Sequence, residues 1–558
     1  MGVALKSIFV VVLLGMAIMP VFGQDKDFIP AEGEVVEGEF LINKQLEITL
    51  PTAQRIFQKV PPDEIDSKQT DPLEYTFKNY TPPLTDIRTR LRVLKLKDEN
   101  AIVSAPGSYL KLGFGNYYTP FVEAALNSGP NKTGNYGLKV HHLSSKNGPV
   151  DKENSGDSHS SIGLFGNYIG GNASVGGDLE YELDKYHFYG YDPGADVSKD
   201  SIKQTFNAIS LGFDIKSTKP ESAIQYDIYG KVHNIADYYN ASELAFKTGL
   251  DGNYAISDNM DARLGLDLLF ASYKNPEKIN RTLVRVTPAF VYANNGLTLD
   301  IGMNIVYHDD TLNNKNKTQI FPALRLAYEI NDNISAYGVL EGDVEEVTYK
   351  QIINENPYIT DNIPITNTNK NLDIKVGLNG SLIQYLAFDV GVRSALYKNM
   401  YFYLNDPLAA NRFNVVYDEG NTSLFQGYAS LSYFKNNTIG STLSAKFNAY
   451  NTGDISKAWH RPKIEFDYSI WYNFYSKVKF TADLFMFSGI QAMDFDAPEP
   501  ASIKLDPAID LNLKVDYIIS ERYSAFVSVS NVFDNKYQLY YRYPTRGLLA
   551  MIGFSISF

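Results

Sequence analysis

The sequence contains no cysteine, although it is 558 residues long. Disulfide bridges, thiolate metal sites and cysteine nucleophiles are therefore excluded, and no acylated cysteine can anchor the chain as a lipoprotein. Histidine is scarce too, and the seven histidines lack the spacing of metal ligands: His141, His142, His159, His187, His233, His308 and His460. His141 and His142 are adjacent on a predicted strand, so their rings point to opposite faces and cannot bind one ion. We expect neither a metal nor a cofactor.

Long apolar runs are also missing from most of the chain. No stretch after the amino terminus reaches the roughly 18 uncharged apolar residues of a transmembrane helix, which excludes a helical membrane protein. The first 23 residues differ, with a positive charge at Lys6, an apolar run from Ile8 to Ile18 and a small residue, Gly23, at the end. This pattern predicts a cleavable export signal over residues 1–23, so the mature protein leaves the cytoplasm.

Basic residues are outnumbered, and the net charge of -13 argues against nucleic acid as a partner. No nucleophile elbow, phosphate-binding glycine loop or zinc-binding helix motif occurs in a suitable setting, so we expect no enzyme activity. Outer-membrane phospholipases and proteases assemble their catalytic groups only in three dimensions. Sequence patterns alone leave that class open.

Aromatic residues, in contrast, are abundant, with 40 Tyr and 32 Phe making up most of the 13% aromatic content. Mean hydropathy is nevertheless slightly negative. A transmembrane β-barrel combines both properties, because alternate residues face lipid and a wet lumen while aromatic girdles mark the interfaces. A large secreted β-sandwich or β-propeller is the alternative.

From about Gly107 onward the chain alternates between apolar and polar residues with the period of a β-strand. In the segment from Leu297 to His308, every second residue from Leu297 to Tyr307 is apolar, and most of the intervening residues are polar or small. The segment from Leu505 to Tyr517 repeats this pattern over a length that soluble strands seldom reach. One face suits lipid and the other suits water.

The connections between these segments are alternately short and long, as in transmembrane barrels with tight periplasmic turns and extended outer loops. The short set comprises Gly170–Gly171, Thr218–Glu221, Asp258–Asn259, Asn294–Gly296, Asn331–Asn333, Asn436–Asn437, Ser476–Lys477 and Ser520–Glu521. The long set comprises Ser145–Ser158, Tyr191–Ser201, Asp309–Lys317, Ile352–Lys370, Asn405–Asn421, Asn451–Arg461 and Ala492–Ala501. The alternation predicts an all-β fold, a transmembrane antiparallel barrel of 22 strands over residues 107–558, with both chain ends in the periplasm.

The last strand alternates most regularly, and its apolar face consists of Ala550, Ile552, Phe554, Ile556 and Phe558. An apolar alternating strand that ends in an aromatic residue resembles the signal by which outer-membrane barrels are recognised for insertion. The resemblance implies the barrel-assembly machinery as a partner during insertion and membrane lipid as the surroundings afterwards.

Two short stretches before that strand, Ser530–Tyr537 and Tyr543–Gly547, resemble the carboxy-terminal hairpin of TonB-dependent receptors. The matching residues are Asn531, Phe533, Asp534, Lys536, Tyr537, Tyr543, Pro544 and Arg546. Thr545 and the order Arg546-Gly547 depart from the family's Pro-Gly-Arg. The resemblance covers about Ser108 to Phe558 and implies a 22-stranded outer-membrane importer.

The resemblance does not extend to residues 24–106, which we expect to be a periplasmic or lumen-entering segment. Family members carry a glycine-rich plug of somewhat over a hundred residues, whereas residues 25–104 number 80 and contain only Gly33 and Gly38. We therefore expect a barrel without the plug domain. Basic residues alternate just before the barrel and are candidates for contact with the lumen or a partner: Arg88, Arg90, Arg92, Lys95 and Lys97. A solvated periplasmic strand is the alternative for this segment.

Three functions follow from these expectations. The first is a plug-less, receptor-like barrel that serves as a subunit of a larger complex with outer-membrane or periplasmic proteins. The second is nutrient import with a plug supplied by another polypeptide, and the third is a passive porin. The abundance of Tyr, Asn and Lys is typical of Bacteroidetes-type outer membranes of Gram-negative bacteria.

Several aromatic residues lie in or near the predicted loops: Tyr358, Tyr397, Tyr401, Phe402, Tyr403, Trp459, Tyr540 and Tyr541. We expect them to belong to the outer aromatic girdle, with a ligand-binding surface as the alternative.

Overall fold

The computed structural model describes residues 107–129, 133–192, 194–219, 222–310, 317–495 and 497–558. The predicted export signal, the segment 24–106 and its basic residues (Arg88, Arg90, Arg92, Lys95 and Lys97) lie outside the described residues. These assignments stay predictions.

The chain forms a closed antiparallel sheet of 22 strands. Each strand pairs with the next along the chain, β19 pairs with β22, and β24 closes the ring by pairing with β1 from Tyr109↔Ser557 to Gly115↔Met551. The predicted 22-strand barrel is confirmed. The strands are β1 (Tyr109–Gly115), β2 (Thr119–Asn127), β3 (Gly134–Ser145), β4 (Asp157–Ile169), β5 (Ala173–His187), β6 (Lys203–Ser217), β7 (Ile224–Ala236), β8 (Ser242–Ser257), β9 (Met260–Lys274), β10 (Lys278–Asn294), β11 (Leu297–Asp309), β12 (Thr318–Asn331), β13 (Ile334–Glu345), β14 (Thr368–Ile383), β15 (Leu386–Asn405), β16 (Phe413–Lys435), β17 (Ile439–Asn451), β18 (Ile464–Phe474), β19 (Val478–Ser488), β22 (Ala508–Ile518), β23 (Tyr523–Ser530) and β24 (Leu549–Ser557).

Five short elements lie in the connections that the structure describes. Strands β20 (Gln491–Asp494) and β21 (Ala501–Lys504) form a separate hairpin between β19 and β22. Helix α1 (Tyr349–Glu355) lies between β13 and β14, and single 3-10 turns span Lys152–Ser155 and Lys199–Ile202. Among the described residues, no helix is long and apolar enough to cross a membrane.

The alternating sequence pattern sets the two faces of the wall. On β11, Ile301 and Met303 are exposed on the outer face, whereas Asn304, Val306 and His308 are buried on the inner face. This division follows from the two-residue period of a strand, which sends successive side chains to opposite faces. The apolar outer face suits lipid, as predicted.

The two ends of the barrel differ in their connections. The predicted tight turns all lie at one end, the turn end, and several use residues with positive φ, such as Asn295 (48°) and Gly296 (77°). Both ends of the barrel chain lie there as well, because the Phe558 N–H donates to the Ser108 carbonyl over 2.9 Å. Most of the long connections lie at the opposite end, the loop end.

Several predicted boundaries are wrong, and the connection predicted as Ile352–Lys370 spans residues 346–367. The connection after β15 is only residues 406–412, because β15 and β16 continue to pair beyond a bulge at Lys398/Met400. The strand predicted from Leu505 begins at Ala508 instead. Leu505 is buried beside Ile490 and donates its N–H to the Ile490 carbonyl over 3.0 Å. It therefore belongs to the connection between β19 and β22 and not to the barrel wall.

Candidate functional site: a loop that crosses the barrel mouth

The connection between β13 and β14, residues 346–367, crosses the lumen at the loop end; we call it the crossing loop. Its Lys350 forms an ion pair with Glu182 of β5. Further along, the Tyr358 carbonyl accepts the Phe413 N–H of β16 over 2.9 Å, and the Thr360 N–H donates to the Phe413 carbonyl over 2.8 Å. Strands β5 and β16 stand on opposite sides of the 22-strand ring. One segment therefore contacts both opposing walls.

The first turn of helix α1 is held by a buried carboxylate on the wall. Helix amino termini leave N–H groups without partners inside the helix. Thr348 caps the helix by accepting the Gln351 N–H, and Glu243 of β8 accepts the Tyr349 N–H over 3.0 Å. Glu243 is fully buried and pairs with the equally buried Arg281 of β10 over 3.0 Å. Arg281 also donates to the Val347 carbonyl, so this pair fixes the entry of the loop.

The other end of α1 is held through Glu355. Its carboxylate accepts hydrogen bonds from the hydroxyls of Tyr401 (2.6 Å) and Tyr403 (3.0 Å) on β15. Arg461 lies 3.6 Å from the same carboxylate, and the Tyr540 hydroxyl donates to the Glu355 carbonyl over 2.7 Å. A carboxylate at a helix carboxy terminus is unfavourable by itself, and these donors offset that cost.

An apolar layer, which we call the mouth cluster, joins the crossing loop to the wall. Ile352, Ile359 and Ile365 of the loop are almost fully buried in it. Each such side chain contributes about 1.5–3 kcal/mol by leaving water. The buried members are Phe206, Ala208, Ile235, Ala241, Tyr273, Val347, Tyr349, Ile352, Ile353, Ile359, Ile363, Ile365, Tyr401, Tyr403, Phe413, Val415 and Tyr543.

The expected aromatic girdle is wrong for most of the residues assigned to it. Tyr401 and Tyr403 belong to the mouth cluster, Tyr358 and Tyr540 pack against it, and Phe402 and Trp459 are buried. Tyr397 is buried in a smaller cluster on β15, and Tyr541 packs against Ile490. A period-two pattern cannot distinguish a ring that faces lipid from one that faces a loop folded into the lumen.

Tyr358 joins the crossing loop to the long connection between β23 and β24. Its ring stacks on that of Tyr543 with centroids 3.7 Å apart, and its hydroxyl donates to Tyr189 over 3.4 Å. Burial raises the pKa of Tyr189 to about 12 and raises the pKa of Tyr358 and Tyr543 as well. The three rings therefore stay neutral at physiological pH.

We expect Tyr358→Ala to weaken the attachment of the crossing loop by about 2 kcal/mol, because the stacked ring is lost. The rate of limited proteolysis within residues 346–367 measures this attachment. Tyr358→Phe is the matched control, since it keeps the ring and removes only a long hydrogen bond. Equal proteolysis of the two variants would contradict the importance of the stack.

His460 lies in the connection between β17 and β18. It joins this connection to β15 and to the connection between β23 and β24. Its Nδ1 lies 2.7 Å from the Tyr403 carbonyl, and the Tyr541 N–H donates to its Nε2 over 3.3 Å. The ring is therefore neutral, with the proton on Nδ1, because a second proton on Nε2 would face the Tyr541 N–H. Burial lowers the pKa of His460 from 6.5 to about 4.

Because His460 is neutral when the loops are folded, we expect acid to weaken the attachment of the loops at the mouth. The unfolded chain binds a proton as the pH falls through 6.5, whereas the folded loops bind it only near pH 4. The open state thus binds more protons in this window, and loop stability falls by on the order of 3 kcal/mol between about pH 6.5 and pH 4. Proteolysis of the loops with an acid-active protease measures the effect. His460→Gln should flatten the pH dependence, and an unchanged profile would contradict the prediction.

The wall of the lumen is polar and carries more acidic than basic groups. A cavity of about 410 Å³ is lined by six carboxylates and three cations, among other residues: Asp227, Asp251, Asp267, Asp300, Glu341 and Asp343, with Arg263, Arg325 and Lys370. Ion pairs join strands of the wall here, such as Arg263 of β9 to Asp300 of β11 at 2.6 Å and Lys370 of β14 to Glu341 of β13 at 3.0 Å. Further pairs, such as Asp227 with Lys216 and Asp343 with Arg285, show that the carboxylates of this cavity are largely balanced by cations of the same wall.

The family-like residues lie in an 18-residue connection, 531–548, between β23 and β24 at the loop end. Asn531 folds it by donating to the carbonyls of Asn535 (2.8 Å) and Arg546 (2.7 Å), and Asp534 accepts the Leu548 N–H over 2.9 Å. Tyr543 belongs to the mouth cluster. Tyr537 to Asp510 and Arg546 to Asp157 anchor the connection to the wall, a bridge between Gln538 and Pro544 lies within the connection itself, and Phe533 is exposed.

The terminal strand lies where the sequence predicts it. Ile552, Phe554 and Phe558 are exposed on the outer face, with Phe558 68% exposed. Ala550 and Ile556 lie at alternate positions of the same strand. A recognition role for this strand in assembly stays a prediction. Within the described ranges, no group of three or more His, Asp or Glu side chains is arranged to hold a metal ion.

No family model matches the chain, and no curated protein matches it in sequence. Solved structures do match. The iron transporter FrpB from Neisseria meningitidis (F5-1 variant) aligns with a TM-score of 0.62 at 9% identity, over 81% of this chain and 82% of its own. The siderophore receptor PirA from Acinetobacter baumannii aligns with a TM-score of 0.61 at 11% identity, over 81% and 80%.

The pyoverdine outer-membrane receptor FpvA from Pseudomonas aeruginosa PAO1 aligns with a TM-score of 0.59 at 12% identity, over 81% of this chain and 78% of its own. At identities this low, the alignments show a shared fold and do not show a shared ligand or function. The aligned share equals the length of residues 107–558, which is the predicted barrel. By its strand count, its closure and these alignments, the chain has the closed 22-strand barrel fold of the TonB-dependent receptors.

Proposed function

We propose that this protein is a receptor-like barrel whose outer mouth is closed by its own crossing loop, and that it works as a subunit of a larger outer-membrane assembly. In this proposal the loop end faces outward, and the turn end, with both chain ends, faces the periplasm of a Gram-negative, Bacteroidetes-like bacterium. Long outer loops and tight periplasmic turns are the usual arrangement in such barrels.

The crossing loop is the observation that carries the proposal. It contacts opposing walls at Glu182 and Phe413, and its isoleucines pack with wall residues in the mouth cluster. A passive porin needs an open water path through its mouth. The closed mouth therefore favours a barrel that opens only when a ligand or partner displaces the loop.

Import of a ligand is the second candidate. The aligned structures are named as an iron transporter and as siderophore receptors, which favours uptake as the task of a shared barrel fold. In this candidate function, the plug is supplied by another polypeptide. The same structural neighbours are transporters and receptors, which supports a function other than catalysis.

Gentle detergent extraction of the native protein, followed by mass spectrometry, separates these functions. The assembly proposal predicts stoichiometric outer-membrane or periplasmic partners, and a co-purifying plug-like protein would specify import. A chain that is extracted alone, in detergents that preserve known outer-membrane complexes, would contradict the assembly. Steady conductance of the lone wild-type protein would instead establish the porin.

A further inference from the structure

The lumen face of β5 carries acidic residues at four successive inward positions: Asp178, Glu180, Glu182 and Asp184. Leu179 and Tyr181 are exposed on the opposite, lipid-facing side. Successive inward positions of a strand are about 6.8 Å apart. The four residues therefore form a straight acidic ladder along the lumen wall.

The half of the ladder nearer the loop end is already paired with positively charged or protonatable groups. Glu182 pairs with Lys350 of the crossing loop, and Asp184 Oδ1 lies 3.0 Å from His159 Nδ1. Lys350 reaches the ladder from a segment that crosses the lumen. This pair shows how the ladder binds a cation that comes from outside the wall.

The half nearer the turn end carries three carboxylates without such partners. In the described part of the chain, neither Asp178 nor Glu180 of β5, nor Asp214 of β6, forms an ion pair or side-chain hydrogen bond. Asp178 leans over Gly212 and Asp214 leans over Gly176, where an added Cβ would lie 2.3 Å from the carboxylate. The two glycines thus leave room for both carboxylates in the lumen.

The chain itself carries a cationic segment of matching period. Residues 87–97 contain five basic and no acidic residues, with Arg88, Arg90 and Arg92 at alternate positions. In an extended conformation these three guanidinium groups repeat every 6.8 Å or so, the spacing of the acidic ladder. Arginine binds carboxylates with two parallel hydrogen bonds, so the match favours docking in register.

The segment can also reach the ladder. The chain enters β1 at the turn end, beside Phe558. Fifteen peptide steps from Arg92 to Gly107 span up to about 50 Å. The path from β1 to Asp178 crosses four strand spacings and climbs five residues, which is about 25 Å in all.

We propose that Arg88, Arg90 and Arg92 dock on Asp178, Glu180 and Asp214, so that the chain's own amino-terminal segment occupies the turn end of the lumen. This deepens the proposed function, on which it rests only in placing the turn end in the periplasm.

Because the chain has no cysteine, a pair of introduced cysteines gives an unambiguous cross-link. The full-length Arg90→Cys/Glu180→Cys variant is oxidised in outer-membrane vesicles, and the disulfide-linked peptide is quantified by mass spectrometry. Arg90→Cys/Asp467→Cys is the matched control, since Asp467 is also acidic but lies on β18, far around the ring. We expect about tenfold more cross-linking at 90–180 than at 90–467, because docking raises the local concentration. Equal cross-linking, or none at 90–180, would overturn the proposal.

A second measurement covers the case in which the cysteine variants fail to fold. Trypsin cleavage after Arg88, Arg90 and Arg92 is compared between the wild type and Asp178→Asn/Glu180→Gln/Asp214→Asn, whose heat-modifiable migration reports barrel folding. We expect roughly tenfold faster cleavage in the triple variant, since the charge-assisted bonds are lost. An unchanged rate would overturn the docking. A 90–180 cross-link in a protein extracted without partners would keep the docking and contradict only the assembly.

Discussion

Replacing residues 346–367 by a four-residue glycine-asparagine turn is expected to raise the single-channel conductance about tenfold or more, because a 22-strand barrel encloses a wide lumen. The barrel itself should survive. Glu345 and Thr368 are paired neighbours at the ends of β13 and β14, so a tight hairpin can join them directly. Planar-bilayer recordings measure the conductance, and uptake of a large antibiotic by cells reports the same change in vivo.

The control for this excision shortens the exposed tip of another connection. Between β20 and β21, Pro498, Glu499 and Pro500 are exposed. Replacing this tip with a two-residue turn should leave conductance unchanged. If the excision of 346–367 also left conductance unchanged, the crossing loop would not be the barrier at the mouth.

Arg281→Met is expected to detach the entry of the crossing loop. Arg281 and Glu243 are buried, with 1% and 0% of their side chains exposed, and removal of Arg281 leaves the buried Glu243 carboxylate with only the His233 ring, 3.3 Å away, as a charge partner. Removal of one partner of a buried ion pair lowers the stability of the folded arrangement by about 3–5 kcal/mol. The Glu243 carboxylate would then move towards water and stop accepting the Tyr349 N–H. Helix α1 would lose this anchor. We expect frequent open events in bilayer recordings and faster proteolysis of residues 346–367.

Two variants test this reasoning. Arg263→Met removes a pair with Asp300 whose arginine is 38% exposed, and exposed pairs contribute about 1 kcal/mol or less. It should leave the mouth closed. The double variant Glu243→Gln/Arg281→Met should be less open than Arg281→Met alone, because it buries no unpaired charge. Equal behaviour of Arg281→Met and Arg263→Met would contradict the anchoring role of the buried pair.

Strand alternation and turn chemistry were sufficient to predict the barrel wall. The period-two pattern of β11 and β24 assigned Ile301 and Ile552 to the lipid face, and residues such as Asn295-Gly296 marked tight turns. The errors lie where this logic ends. Leu505 continues the alternating pattern of the strand, yet it lies in the connection between β19 and β22. The sequence pattern could not show this, because the position of Leu505 depends on its contact with Ile490, outside the predicted strand.

The mouth could not be read from the sequence in the same way. The segment 346–367 contains Ile352, Ile359 and Ile365 without a period that names their partners. Those partners lie on β6, β9, β15 and β16, which only the closed ring brings around one opening. The sequence therefore predicted Tyr401 and Tyr403 to lie in the aromatic girdle, whereas in the structure they anchor the crossing loop.

The sequence by itself determined the wall of this protein: its strand count, its two faces and the alternation of turns and loops. These follow from local physics, since each strand's pattern and each turn's backbone conformation are encoded within a few residues. Only the tertiary structure decided that residues 346–367 cross the mouth and that Glu243, Arg281 and Tyr349 anchor them there. Burial of charge and of isoleucine depends on which distant residues meet, and ring closure fixes that meeting.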